Sequence, residues 1–223
     1  MTYVFTDIHG CLRAFDALLD ELQPSDGDTV IALGDYIDRG ADSKGVIDRL
    51  IGIRDELTLV ALRGNHEIMM QEALLGPPAS GFWMMNGGLE TLDSYNVRSL
   101  KGLPEEHWEF LYNLRDIHVA EPFLFTHATP PPELSVAEFD EESLFWSRFT
   151  NLRERKDGRF LICGHTPQTD RRPSLRAGHL CLDTGCCHGG YLTALTLETG
   201  AYLQTSEEGQ FRDGWLDLPT FAG

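Results

Sequence analysis

The sequence predicts an α/β fold, and two observations carry that prediction. Over residues 3 to 64, strand-forming runs alternate with amphipathic helical runs, a pattern that pairs strands in parallel through right-handed crossovers. Five apolar runs also lead straight into residues of metal-ligand type: Asp7 and His9, Asp35 and Asp38, Asn65 and His66, His127, and His165. In a sheet of this kind the carboxyl ends of the strands share one edge, where loops distant in sequence converge on a site. The layout is that of a metalloenzyme.

The elements follow in chain order. Tyr3–Thr6 is a short apolar strand. Leu12–Leu22 reads as a helix because Leu12, Phe15, Leu18, Leu19 and Leu22 recur at spacings of three and four and so share one face. Thr29–Leu33, Ser43–Ile53 and Thr58–Leu62 continue as strand, helix and strand, with glycines at the joints. From Glu67 to Arg115 the pattern is mainly helical, broken at Pro77-Pro78 and turned at Asn86-Gly87-Gly88. Leu103-Pro104-Glu105-Glu106 has the proline and acids of a helix start. This stretch, about 68–116, is read as a cap-like helical insert beside the site. Strands return at Ile117–Ala120, Phe123–Thr126, Phe160–Cys163, His179–Leu182, Tyr191–Leu197 and Tyr202–Thr205, close enough for mixed or antiparallel pairing. With no repeat or low-complexity linker, and candidate ligands drawn from both halves, residues 1–223 are expected to form a single domain.

Thirty-five acidic residues against 18 basic ones give a net charge of −17, which disfavours attraction to nucleic-acid phosphates or anionic lipid. The expected partners are therefore small or protein substrates, with no nucleic acid and no membrane. No stretch approaches the ~18 apolar residues of a membrane span, and Met1-Thr-Tyr-Val-Phe enters a strand without the pattern of a signal peptide. Cys11, Cys163, Cys181, Cys186 and Cys187 lack zinc-type spacing and read as reduced thiols of a cytoplasmic protein. The adjacent pair Cys186-Cys187 could respond to oxidation.

Asp7 and His9, two positions apart in an extended segment, project to one side and can grip one ion. Asp35 could bridge two ions with its two oxygens, and Asn65, His127 and His165 could complete the second. Such mixed oxygen and nitrogen sets suit Mn²⁺, Fe or Zn²⁺ better than Ca²⁺ or Mg²⁺. Two ions ~3.5–4 Å apart activate a shared water and clamp the oxygens of an in-line displacement. Arg39 and Arg148 could hold phosphate oxygens. His66 is then free to protonate the leaving oxygen, with Asp38 holding its tautomer. Any one Asp past a strand is ordinarily a turn residue; the ordered set outweighs that reading. His107, His118, His179 and His188 read instead as surface or core residues, His188 being the one placed to touch substrate. Trp83, Met84, Met85 and Trp146 read as packing before groove lining.

Three blocks also carry a resemblance. Thr6-Asp7-Ile8-His9-Gly10, Gly34-Asp35-Tyr36-Ile37-Asp38-Arg39-Gly40 and Arg63-Gly64-Asn65-His66-Glu67, followed by His127 and Gly164-His165-Thr166, resemble the signature of the phosphoprotein phosphatase family of calcineurin-like metallophosphatases. Phe145-Trp146-Ser147-Arg148 and Leu182-Asp183-Thr184-Gly185 are similar to segments of its short bacterial and phage branch. The resemblance implies a central two-sheet β-sandwich flanked by helices, a four-layer α/β/β/α arrangement. It implies Asp7, His9 and Asp35 on one metal; Asp35, Asn65, His127 and His165 on the other; His66 and Asp38 as the acid dyad; and Arg39 and Arg148 on phosphate. The chain departs from eukaryotic members after His127, where Ala-Thr-Pro replaces Gly-Gly, and near Asp183-Thr184-Gly185.

The expected activity is therefore hydrolysis of phosphate monoesters, with phosphoserine and phosphothreonine in proteins or peptides leading and phosphotyrosine further. Two divalent ions, Mn²⁺ first, would carry the attacking hydroxide between them, without a covalent phosphoenzyme. One alternative is a symmetrical bis(5'-nucleosyl)-tetraphosphatase, for which Arg171, Arg172 and Arg176 would have to supply extra cations. The other is a binding module without turnover, against which the intact His66, Asp38 and Asp35 argue.

Overall fold

The structure is a computed structural model and describes residues 1–220. The strands are β1 (Thr2–Phe5), β2 (Thr29–Ala32), β3 (Thr58–Ala61), β4 (Ile117–Ala120), β5 (Phe123–Thr126), β6 (Phe160–Cys163), β7 (Ser174–Arg176), β8 (His179–Cys181), β9 (Leu192–Thr196), β10 (Ala201–Thr205) and β11 (Phe211–Trp215). They form a six-stranded sheet in the order β11-β10-β9-β1-β2-β3 and a five-stranded sheet in the order β4-β5-β6-β8-β7. β1, β2 and β3 run parallel, as do β5, β6 and β8, while the outer strands pair antiparallel.

Strand alternation builds the layers. Val4, Ile31 and Val60 stand side by side in register and pack with Phe123, Phe125, Ile162 and Leu180 between the sheets. The alternate residues Tyr3, Phe5, Val30 and Ala32 point the other way, onto helices α1 (Leu12–Leu22) and α2 (Ser43–Glu56). Residues on the far side of the second sheet, Leu124, Leu161, Cys163 and Cys181, meet Phe149. Both sheets are mixed and covered by helical or irregular segments, as the resemblance implies.

The remaining helices are α3 (Asn65–Glu72), α4 (Ala79–Trp83), α5 (Leu89–Ser94), α6 (Glu105–Tyr112) and α7 (Glu141–Phe145). α3 starts at Asn65, inside the third block, so the helical stretch begins earlier than 68. This stretch, read as a cap-like insert beside the site, sends Trp83, Leu92, Phe110 and Leu111 into the same core as α1 and α2, while Met69 and Asn86 line the pocket. Two strands escape the sequence pattern. β7 is a three-residue edge strand, and β11 contains Asp213-Gly214, which reads locally as a turn; each borrows its conformation from a single neighbour. His107, read from the sequence as surface or core, is a core residue, its Nδ1 2.7 Å from the Tyr95 hydroxyl and its Nε2 2.9 Å from Asp48. Among the described residues no helix is long and apolar enough to cross a membrane.

Candidate active site

Six parallel strands from the two sheets end at one edge, and each is followed within a few residues by a polar group of the site. Asp7 follows β1, Asp35 follows β2, Asn65 follows β3, His127 follows β5, His165 follows β6, and Asp183 follows β8. The turns are tight enough to force unusual backbone. Asp7, His9, Asp35, Asp38, Arg39 and His165 all have positive φ, between 34° and 71°, a conformation that costs non-glycine residues on the order of 1–3 kcal/mol and clusters at functional sites. Two glycines admit the carboxylates. A Cβ at Gly64 would lie 2.1 Å from Asp35 Oδ1, and one at Gly164 would lie 2.0 Å from Asp7 Oδ2, so any side chain there would displace a candidate ligand.

The pocket at this edge is lined by Asp7, His9, Asp35, Arg39, Asn65, His66, Arg148, His165, Asp183 and the Gly185–His188 loop, among others. His127 and Asp38 lie behind this wall, fully buried. All ten sequence-predicted site residues thus meet here, and Trp146 and His188 join the lining.

Hydrogen bonds settle where the lone pairs point. His9 Nδ1–H donates to the Ile37 carbonyl at 2.8 Å, leaving Nε2 as an acceptor, and a guanidinium nitrogen of Arg39 sits 3.0 Å from it. A cation already occupies the direction in which a metal would be held. His9 Nε2 is 3.4 Å from Asp35 Oδ2. His127 Nδ1–H donates to the Leu33 carbonyl at 2.8 Å, so its Nε2 lone pair faces Asn65 Oδ1 at 3.0 Å and Asp35 Oδ1 at 3.5 Å. His165 Nδ1 lies 2.9 Å from the same Asn65 oxygen. Acceptors facing acceptors at such distances repel unless a cation lies among them, and an imidazole fixed by a backbone carbonyl is the usual metal ligand.

Electrostatics point the same way. Burial, then the neighbouring Asp7, raises the carboxyls of Asp35 and Asp183 well above the ordinary range, and burial likewise raises Asp7. Three buried acids facing one another cannot all ionise without a positive partner. Burial, with His127 and Arg148 close by, pushes His165 down to about 2, and burial followed by Arg39 depresses His9; both imidazoles are neutral and able to coordinate. Asp35, His127 and His165 form one set whose ligand atoms lie within 4.8 Å of each other, and His9, Asp35 and His66 form another. Asp35 belongs to both and so can bridge. The residues therefore fit a pair of divalent ions. Asp7 is absent from these sets: its carboxylate instead accepts from Thr6 Oγ1 and from the His165 N–H at 3.0 Å.

His66 is held differently. Its Nδ1 is 2.7 Å from Asp38 Oδ2, and Asp38, with no solvent exposure, also accepts from Trp83 Nε1 at 3.0 Å and Thr91 Oγ1 at 2.7 Å. Trp83 is packed, as the sequence reading has it, yet it also orients the dyad.

Trp83, Thr91, Glu67 and Asp183 are site residues that sequence reasoning missed as such. Glu67 is buried, and its two oxygens accept the backbone N–H groups of Asp35 at 2.9 Å, Tyr36 at 2.8 Å and Gly64 at 2.8 Å. It locks the second and third blocks together. Its place directly after Asn65-His66 was visible, but a helix-start acid explains such a residue equally well. Glu67→Ala is expected to lower unfolding free energy by about 3 kcal/mol or more, because three buried backbone donors lose their acceptor. Urea unfolding monitored by tryptophan fluorescence checks it; a shift below about 1 kcal/mol would remove Glu67 from this role.

A family model described as Calcineurin-like phosphoesterase matches residues 2–188. Serine/threonine-protein phosphatase 1 of Salmonella typhimurium is 28% identical over 206 residues, covering 88% of this chain and 91% of that protein. The symmetrical bis(5'-nucleosyl)-tetraphosphatase of Cellvibrio japonicus is 24% identical over 272 residues, covering 93% of this chain and 99% of that protein. A solved cold-active protein tyrosine phosphatase shares the fold, with a TM-score of 0.67 and 17% identity over 95% of this chain and 78% of that one.

Proposed function

The chain belongs to the calcineurin-like phosphoesterase family, and from that premise we propose that it hydrolyses phosphate monoesters, with phosphoserine and phosphothreonine in proteins leading and phosphotyrosine further. In this reading Asp7, His9 and Asp35 hold one divalent ion and Asp35, Asn65, His127 and His165 the other, with Mn²⁺ as the expected metal. When bound, such a pair supplies Lewis acidity toward phosphoryl oxygens and an activated water. The chain's own residues do the rest. Arg39 and Arg148, which both line the pocket, orient the phosphoryl group in bidentate fashion. His66 presents Nε2 toward the departing oxygen and gives it a proton, while Asp38 accepts Nδ1–H and fixes the tautomer. The five free thiols suit a reducing compartment, and action in the cytoplasm is part of the reading.

One observation favours a monoester over a polyphosphate. Arg39 and Arg148 are the lysine or arginine side chains that line the pocket among the described residues, a complement matched to one phosphoryl group. Arg171, which a dinucleotide substrate would need, is instead bound to the Gly189 carbonyl, and neither it, Arg172 nor Arg176 lines the pocket. The dinucleotide reading keeps the support of the Cellvibrio relative. Initial rates of the Mn²⁺-reconstituted protein separate the two, with a phosphothreonine peptide, a phosphotyrosine peptide and diadenosine tetraphosphate compared at equal concentration. Fastest phosphate release from the phosphothreonine peptide is expected. Faster turnover of the dinucleotide would reassign the substrate class while keeping the same metal site.

A further inference from the structure

A second cluster of ligand-type side chains adjoins the pocket just described and shares Cys186 with its lining. Cys11, Cys186 and Glu207 bring two sulfurs and a carboxylate oxygen within 4.8 Å of one another. They come from three separate segments: the turn after β1, the pocket loop after β8, and the turn between β10 and β11. Both cysteines are buried, with 2% and 4% exposure, whereas Glu207 is half-buried and leaves a route to solvent. Both thiols are free. Glu207 is aimed by its backbone contact, one oxygen accepting the Ala14 N–H at 3.0 Å. Cys11 immediately precedes α1, and its Sγ lies 3.6 Å from the His9 carbonyl.

We propose that Cys11, Cys186 and Glu207 form a third metal site, selective for a thiophilic divalent cation of the Zn²⁺ type. Tetrahedral Zn²⁺ with sulfur at about 2.3 Å and oxygen at about 2.0–2.2 Å holds its ligand atoms about 3.6–3.8 Å apart, a spacing that the cluster accommodates. A water on the Glu207 side completes the four ligands. The chemistry differs from that of the pocket, where oxygen and nitrogen ligands without sulfur suit Mn²⁺. A cation at the cluster would tie the turn that carries His9 to the loop that carries Asp183, Cys187 and His188, and so stiffen the pocket wall. The site is independent of the phosphatase reading, and its test requires no substrate.

The test titrates the full chain, its pocket first saturated with Mn²⁺ under reducing conditions, with Cd²⁺ while sulfur-to-metal charge-transfer absorbance is recorded in the ultraviolet. A band that saturates at a single equivalent is expected. Cys11→Ser and Cys186→Ser should each remove it, and Glu207→Ala, a change at a half-buried position that leaves the core intact, should weaken Cd²⁺ binding about tenfold or more. No band in the unaltered chain would overturn the proposal. So would a band that survives in the Cys11→Ser/Cys186→Ser double variant, or one removed by Cys163→Ser, which would place the thiolates on the other buried pair, Cys163 and Cys181.

Discussion

His66→Asn is expected to lower kcat on a phosphothreonine peptide by about 10²–10⁴-fold, the usual contribution of a positioned general acid, while metal binding is retained. The threonine alkoxide is a poor leaving group and needs a proton as the bond to phosphorus breaks. His66 is the imidazole whose orientation is most completely specified: Nδ1 is taken by Asp38, and Asp38 in turn is held by Trp83 and Thr91. An aryl phosphate with an acidic phenol leaving group needs little protonation, so its hydrolysis should fall much less. That difference between substrates is the signature of an acid. The geometry also contains the competing role, since His66 Nε2 is 4.0 Å from Asp35 Oδ2 and shares a ligand set with His9. Metal content measured on the same variant decides between them. Loss of a metal equivalent, together with an equal fall on both substrates, would make His66 a ligand.

Asp35→Asn carries the second large effect, and its sign reverses between two measurements. Because Asp35 belongs to both ligand sets, weakening it should disturb both ions. Lewis-acid stabilisation is worth several kcal/mol, so turnover should fall about 10³-fold or more. The metal-free protein should become more stable. Burial first, then Asp7 and Glu67, raise the Asp35 carboxyl well above its ordinary value. A raised acid binds its proton more tightly folded than unfolded, so at neutral pH it destabilises the fold and that cost disappears as pH falls through the folded value. Asparagine removes the cost at every pH and retains an oxygen for the His66 N–H, which Asp35 Oδ1 accepts at 3.0 Å. Melting temperature in chelator should therefore rise, by about 2–4 °C for each kcal/mol recovered in a chain of this size, whereas Mn²⁺ should raise it less than in the unaltered protein. A metal-free melting temperature that falls would show that Asp35 is held by something other than the repulsion described here.

Much of the architecture could be read directly from the chain. The helix α1 follows from apolar spacing and the strands β1, β2 and β3 from short β-branched runs, because both periods are set by residues close in sequence. The ligand types were legible for a related reason: each stands within a few positions of a strand end, so strand direction alone delivers it to the common edge. The edge strands β7 and β11 were not legible, since a strand with one neighbour takes its conformation from that neighbour and its own composition is permissive. The helical stretch after Glu67 was recognised as helical, but its direction of packing was not. Amphipathic patterns say that a face is buried and not against what.

By itself, then, the sequence determined the α/β class, the family and the roster of ligand-type residues at the strand ends, all of which are written in short local patterns. Only the tertiary structure decided which second residues hold them. Thr91 reaches Asp38 across 53 positions, and the His165 N–H reaches Asp7 across 158. Glu67 closes on the backbone of Asp35 and Tyr36, 32 and 31 positions away, Asp183 enters from the end of β8, and Cys11 meets Cys186 and Glu207 although their spacing in the chain resembles no metal motif. Contacts of this kind arise from packing two sheets and their helices, and residue spacing along the chain carries no trace of them.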